Sequence, residues 1–201
     1  MNLKKLLAIL MMCIFMTSLL GTANAQEEKK DPQCLTMENE KINSLYPDGK
    51  IPLVKDKPLT IKFDDGTYIT YKLAIEKVNS EEADSSSVAA ASIVSVEKDY
   101  YYGFGSAMII LYTQATWTGN SVTIQGQPYT NRTGAFVTYN GCSEQIIRAT
   151  GIKNSYAIAE ASGNFSILNT PAGSPITRSY KFQIQLDPIL PDHGILVDMM
   201  P

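Results

Sequence analysis

The chain has 201 residues, 17 Lys+Arg against 20 Asp+Glu, and a formal net charge of −3. Charge this close to balance argues against a nucleic-acid binder, which needs a basic face to offset phosphates. One His and three Cys exclude His-rich metal sites, and a hydrophobic share of 44% fits a folded globular protein.

Residues 1–25 read as a signal peptide. Lys4 and Lys5 form the positive start, Leu6 to Met16 is an unbroken apolar run, and Ala23-Asn24-Ala25 is a small-x-small cleavage site. Cleavage after Ala25 places the chain outside the cytoplasm, secreted or extracytoplasmic. It removes two lysines and no acid, taking the net charge from −3 to −5. No later apolar run is long enough to span a bilayer, so no integral membrane segment is expected after cleavage.

Residues 26–80 form a charged segment. A polar tail is followed by a short helix carried by Leu35, Glu38, Ile42 and Leu45, and then by the turn Tyr46-Pro47-Asp48-Gly49. Leu59, Ile61 and Phe63 alternate with polar residues. After Asp64-Asp65-Gly66, Ile69, Tyr71, Leu73 and Ile75 alternate with Tyr68, Thr70, Lys72 and Ala74. Asp-Gly between two alternating runs predicts a β-hairpin. Residues 81–92 are Ser/Ala-rich and read as a linker or exposed loop. The hairpin segment either docks as extra strands or acts as a removable pro-segment.

Residues 93–201 read as an all-β domain. Ten of the 13 glycines lie in the last 102 residues, many spaced 7 to 12 apart, which is the rhythm of turns in a β-sandwich or barrel. Ala107, Ile109, Leu111, Thr113, Ala115 and Trp117 form one face of a long strand. Val122 and Ile124 mark a short one, Ala135, Val137 and Tyr139 another, and Ile146 and Ile147 a further one. Ser155 to Leu168 is long, with Ala157, Ala159, Ala161 and Gly163 on one side, small enough for another sheet to approach closely. Ile176, Arg178, Tyr180, Phe182, Ile184 and Leu186 alternate with polar residues, and Ile195, Val197 and Met199 finish the chain. The fold class is therefore all-β: an antiparallel β-sandwich-like domain of eight to ten strands, preceded by a short helix and a hairpin.

Cleavage leaves Cys34 and Cys142, and an exported chain with two cysteines most simply joins them in one disulfide. Closing that loop of roughly a hundred residues contributes about 4–5 kcal/mol in the chain-entropy model. The alternative is two free thiols.

Catalytic constellations are sparse. His193 sits in Pro191-Asp192-His193-Gly194 near Asp187, but no Gly-x-Ser-x-Gly elbow accompanies it. Glu144 and Glu160 are the acids available for a facing carboxylate pair. No zinc set, spaced calcium loop, phosphate loop or dinucleotide fingerprint is present, so no metal or cofactor is expected. The best binding candidates are Tyr100, Tyr101, Tyr102 and Phe104, four aromatics in five positions. Such rings, if exposed, stack on sugar faces or anchor a protein. Their alternation sends Tyr100 and Tyr102 to one side and Tyr101 to the other. The last 102 residues also hold 30 Ser, Thr, Asn and Gln against ten charges, a surface that hydrogen-bonds with little charge.

A signal, an Asp-Gly hairpin, a polar linker and a low-charge β domain together resemble, as a layout, small secreted β proteins of bacteria. The expected role is a non-enzymatic secreted or surface module that binds a glycan, a cell-wall polymer or a protein partner. The alternatives are a structural, inhibitory or toxin-like protein with a pro-region, and a hydrolase whose site carries no known motif.

Overall fold

A computed structural model describes residues 32–78, 91–168 and 175–199. The expected signal peptide and residues 81–90 of the expected linker lie outside these residues. The linker's last two residues, Ala91 and Ser92, belong to a strand.

The chain begins with helix α1 (Pro32–Leu45). Eleven strands follow among the described residues: β1 (Lys50–Val54), β2 (Leu59–Lys62), β3 (Tyr68–Lys77), β4 (Ala91–Tyr102), β5 (Gly105–Thr118), β6 (Ser121–Ala135), β7 (Val137–Arg148), β8 (Thr150–Ile152), β9 (Ala157–Leu168), β10 (Pro175–Leu186) and β11 (His193–Asp198). They form two antiparallel sheets. One has five strands in the order β1-β11-β10-β9-β7, the other six in the order β2-β3-β4-β5-β6-β8. The fold is all-β with an N-terminal helix.

The predicted hairpin forms. Gly66 holds φ +85° in its turn, a backbone state that side-chain-bearing residues avoid. Its second strand, β3, pairs along its whole length with β4, while β1 pairs with β11 at the other end of the chain. The charged segment thus supplies strands to both sheets, and the expected domain boundary at residue 93 is not a boundary between sheets.

The inner faces follow the alternation. Ile69, Tyr71, Leu73 and Ile75 of β3 are buried, as are Ala107, Ile109, Leu111 and Ala115 of β5 and Tyr180, Phe182, Ile184 and Leu186 of β10. Ala157, Ala159 and Ala161 are fully buried. Gly163 continues that row. A Cβ there would lie 2.6 Å from the hydroxyl of Tyr180, its register partner on β10, so at Gly163 the missing side chain makes room for a ring of the same sheet, not for another sheet.

Exposed edges are blunted by devices that discourage pairing with other chains. β1 carries Pro52, β8 is three residues long, and β7 breaks register at Asn140/Cys142 and at Ile146/Arg148. The free stretch of β6 carries Gly126 and Pro128.

Two charged clusters sit inside the sandwich. The side chains of Lys98 of β4 and Asp198 of β11 are fully buried, with Nζ 2.5 Å from Oδ2, and the Tyr71 hydroxyl donates to the same oxygen at 2.7 Å. Beneath α1, Arg178 Nη2 lies 3.4 Å from Glu38 Oε1, and Arg178 Nε donates to the Tyr102 hydroxyl at 3.2 Å. The predicted inward face of β10 therefore includes a buried arginine, partnered by the helix.

Candidate functional site

β4 sorts the aromatic cluster. Its burial alternates, so Tyr100 and Tyr102 point inward and are about 1% exposed. Tyr100 packs at 5.0 Å from the Phe165 ring, and Tyr102 lies under the Arg178 guanidinium at 5.3 Å. These two expected binding residues are therefore core residues, because the period of two leaves only every other ring facing solvent.

Tyr101 and Phe104 do reach the surface, in different places. Phe104, in the β4–β5 turn, stacks at 4.6 Å on Phe136 of the β6–β7 turn, and both rings are exposed. Tyr101 stands on the outer face of the six-stranded sheet and stacks on Tyr68, centroids 4.7 Å apart and planes within 15°. A second pair on the same face, Tyr112 and Tyr129, stacks at 4.9 Å and 10°.

The register defines what lies between the pairs. On β4 and β5 the outward rows are Tyr101 opposite Ser106, Asp99 opposite Met108, Glu97 opposite Ile110, and Ser95 opposite Tyr112. Tyr101 is covered on one side by Tyr68 and faces Ser106 on the other. Tyr112 is covered by Tyr129 and faces Ser95. Each of these half-buried tyrosines thus has a stacked ring as its register partner on one side and a serine, a small side chain, on the other, at diagonally opposite corners of a strip. Six residue steps separate the corners, about 20 Å at roughly 3.3 Å per residue. The strip floor is acidic along β4 (Glu97, Asp99) and apolar along β5 (Met108, Ile110). Thr70 and Lys72 flank it on β3, Thr133 and Asn131 on β6.

Burial raises the Asp99 carboxyl to about 6, and the neighbouring Glu97 charge adds to the shift. The folded state then holds a proton on Asp99 more tightly than the unfolded chain. Stability gained from this group is full below the ordinary carboxylate range and is lost as pH rises from about 4 to about 6. Asp99→Asn removes that cost. It should stabilise the protein at pH 7 by about 1 kcal/mol, allowing for the carboxyl's partial exposure, with the gain vanishing near pH 4. Urea midpoints at the two pH values check this.

The catalytic candidates are dispersed. His193 is exposed at the start of β11, and the Asp187 carboxylate accepts from the Ile189 and Leu190 amides, fixing a turn instead of the imidazole. Glu144 sits opposite Ala161, and Gln145 opposite Glu160, so the two acids lie on opposite faces of the five-stranded sheet. Glu160 is held by Gln145 at 2.7 Å and Gln183 at 2.8 Å; burial works against its ionisation, but these hydrogen bonds outweigh that and hold it below the usual range. They form no facing pair.

The expected Cys34–Cys142 disulfide is not formed. Cys142 carries a free, exposed thiol that donates to Glu144 Oε1 at 2.7 Å, beside Thr130 of β6. The Cys34 side chain lies outside the described residues. Among the described residues no three His, Cys, Asp or Glu side chains gather as a metal set, and no helix is long and apolar enough to cross a membrane.

Sequence reasoning found Tyr101 but missed Tyr68, Tyr112 and Tyr129. Their partnership depends on cross-strand register, which a single sequence does not carry. No family model, curated protein or solved structure matches the chain.

Proposed function

We propose that this chain is an extracytoplasmic, non-enzymatic β module that binds a glycan or cell-wall polymer along the outer face of its six-stranded sheet. The observation that carries this reading is the strip between Tyr101 and Tyr112. Each ring offers the face on its serine side to the C–H surface of a sugar ring, and aromatic contacts of this kind add area at low entropic cost. Between them, Asp99, Glu97, Asn131 and Thr133 accept or donate to hydroxyls, while Met108 and Ile110 give an apolar floor. An extended chain with alternating polar edges and apolar faces matches a strip of that length and make-up. A compact protein partner would find little relief on it, and the Phe104–Phe136 pair lies off the strip.

Retention on insoluble cell-wall polysaccharide, measured with the folded protein, tests the proposal. Tyr101→Ala and Tyr112→Ala are each expected to weaken retention by several-fold to about tenfold, the loss of one ring contact. Phe104→Ala should leave it unchanged. Retention unaffected by both tyrosine substitutions, or lost with Phe104→Ala alone, overturns the strip as the binding site.

A further inference from the structure

The interior pair Lys98–Asp198 is arranged for more than a salt bridge. Nζ and Oδ2 are 2.5 Å apart, closer than the 2.7–3.2 Å usual for an N–H···O hydrogen bond. Both side chains are 0% exposed. They come from strands of different sheets, 100 residues apart in the chain. The Tyr100 ring lies 4.7 Å from the ammonium and the Tyr71 ring 5.7 Å, so the pair is walled by aromatics. Two ions held in such a place carry a large desolvation cost that their mutual attraction only partly repays.

We propose that Lys98 and Asp198 condense to an amide, Nζ to Cγ, so that a covalent bond ties β11 to the opposite sheet. The chemistry balances without any added reagent. One proton passes from the Lys98 ammonium to Asp198 Oδ2, the oxygen it already touches, giving a neutral amine and a neutral acid. The amine lone pair attacks Cγ and forms the C–N bond, and the displaced carbonyl electrons move onto Oδ1. One N–H proton then passes to the Oδ2 hydroxyl, to which the Tyr71 hydroxyl already donates at 2.7 Å. The Cγ–Oδ2 bond breaks, one water leaves, and the carbonyl re-forms at Oδ1.

The site suits each step. Burial lowers the Lys98 ammonium below its ordinary value, against the pull of Asp198, and so favours the nucleophilic amine. The Tyr71 hydroxyl donates to Oδ2, the oxygen that departs as water, while Oδ1, which keeps the carbonyl, is buried with no hydrogen-bond partner among the described residues. Holding amine and acid in contact replaces a bimolecular encounter with an intramolecular one, which is worth many orders of magnitude in rate when the geometry is fixed. The product is a neutral amide. It removes two buried charges, and the released water gains bulk solvent.

Intact-mass measurement of the purified, folded protein under denaturing conditions tests the bond, with both termini located by peptide mapping. The mass is expected to fall short of the sequence mass by one water. A branched tryptic peptide should contain uncleaved Lys98 joined to the fragment with Asp198. Asp198→Ala should restore the full mass. Asp198→Asn should still condense, now losing ammonia, and reach the same final mass as the cross-linked parent. Folded parent protein at full sequence mass, with trypsin cutting after Lys98, overturns the proposal without recourse to any variant.

Discussion

Lys98→Ala should lower the free energy of unfolding by about 3–5 kcal/mol, the cost of stranding one partner of a buried ion pair. That is a large share of the 5–15 kcal/mol typical of a whole domain. The reason is local: without the ammonium, the Asp198 carboxylate stays 0% exposed, with Tyr71 as the remaining donor to Oδ2. Its other oxygen already lacks a partner among the described residues. The urea midpoint measures the loss. The double substitution Lys98→Met with Asp198→Leu removes both charges and fills the same space, and should be more stable than Lys98→Ala, since buried pairs replaced by apolar groups are often neutral or better. Neither variant can form an amide, so the difference between the two isolates the cost of the stranded carboxylate. A double variant no more stable than Lys98→Ala would show that packing, not charge, is lost at this site.

The same lysine explains why part of the fold was hard to read. β3, β5 and β10 show clean alternation, and their inner faces are the ones expected. β4 does not: its inward positions run Ser92, Val94, Val96, Lys98, Tyr100 and Tyr102, so a charged residue interrupts the apolar row and the Ser/Ala stretch hides its start. β11 is offset by one. Leu196 is its fully buried residue, and Asp198, not Ile195 or Val197, faces Lys98. Tertiary partnering therefore decides these positions, and it leaves no local signature. β1 was missed because it is five residues long with Pro52 inside it, tolerated because β1 is an edge. Of β6 the sequence marks only Val122 and Ile124, since Gly126 and Pro128 sit within the strand, and the expected strand Ala135, Val137 and Tyr139 is divided between the end of β6 and β7. Phe136, at φ 55°, makes the corner into β7 where sequence gives no glycine. At the candidate site, alternation separates Tyr101 from its buried neighbours. The stacked partners Tyr68 and Tyr129 follow only once β3 lies beside β4 and β6 beside β5.

Phe165→Ala should destabilise the protein by about 3–5 kcal/mol, the range for removing a buried aromatic and leaving its cavity. Phe165 belongs to β9 of the five-stranded sheet and is fully buried. Its ring meets Tyr100 of the six-stranded sheet at 5.0 Å and Tyr139 of its own sheet at 6.1 Å, both at tilted angles. It is thus a bridge between the two layers, and the hole it leaves cannot close without moving a sheet. Phe165→Leu keeps most of the volume but loses the tilted ring contacts, each worth about 0.5–1.5 kcal/mol beyond area. It should cost less than half as much. Chemical denaturation of the three proteins orders them, with an unchanged slope if the native state stays compact. Because Phe165 touches Tyr100 and not the outer strip, the alanine variant should keep its polymer retention at temperatures where it remains folded. Loss of retention in a fully folded Phe165→Ala protein would mean that the inner packing, and not Tyr101 and Tyr112, carries the binding surface.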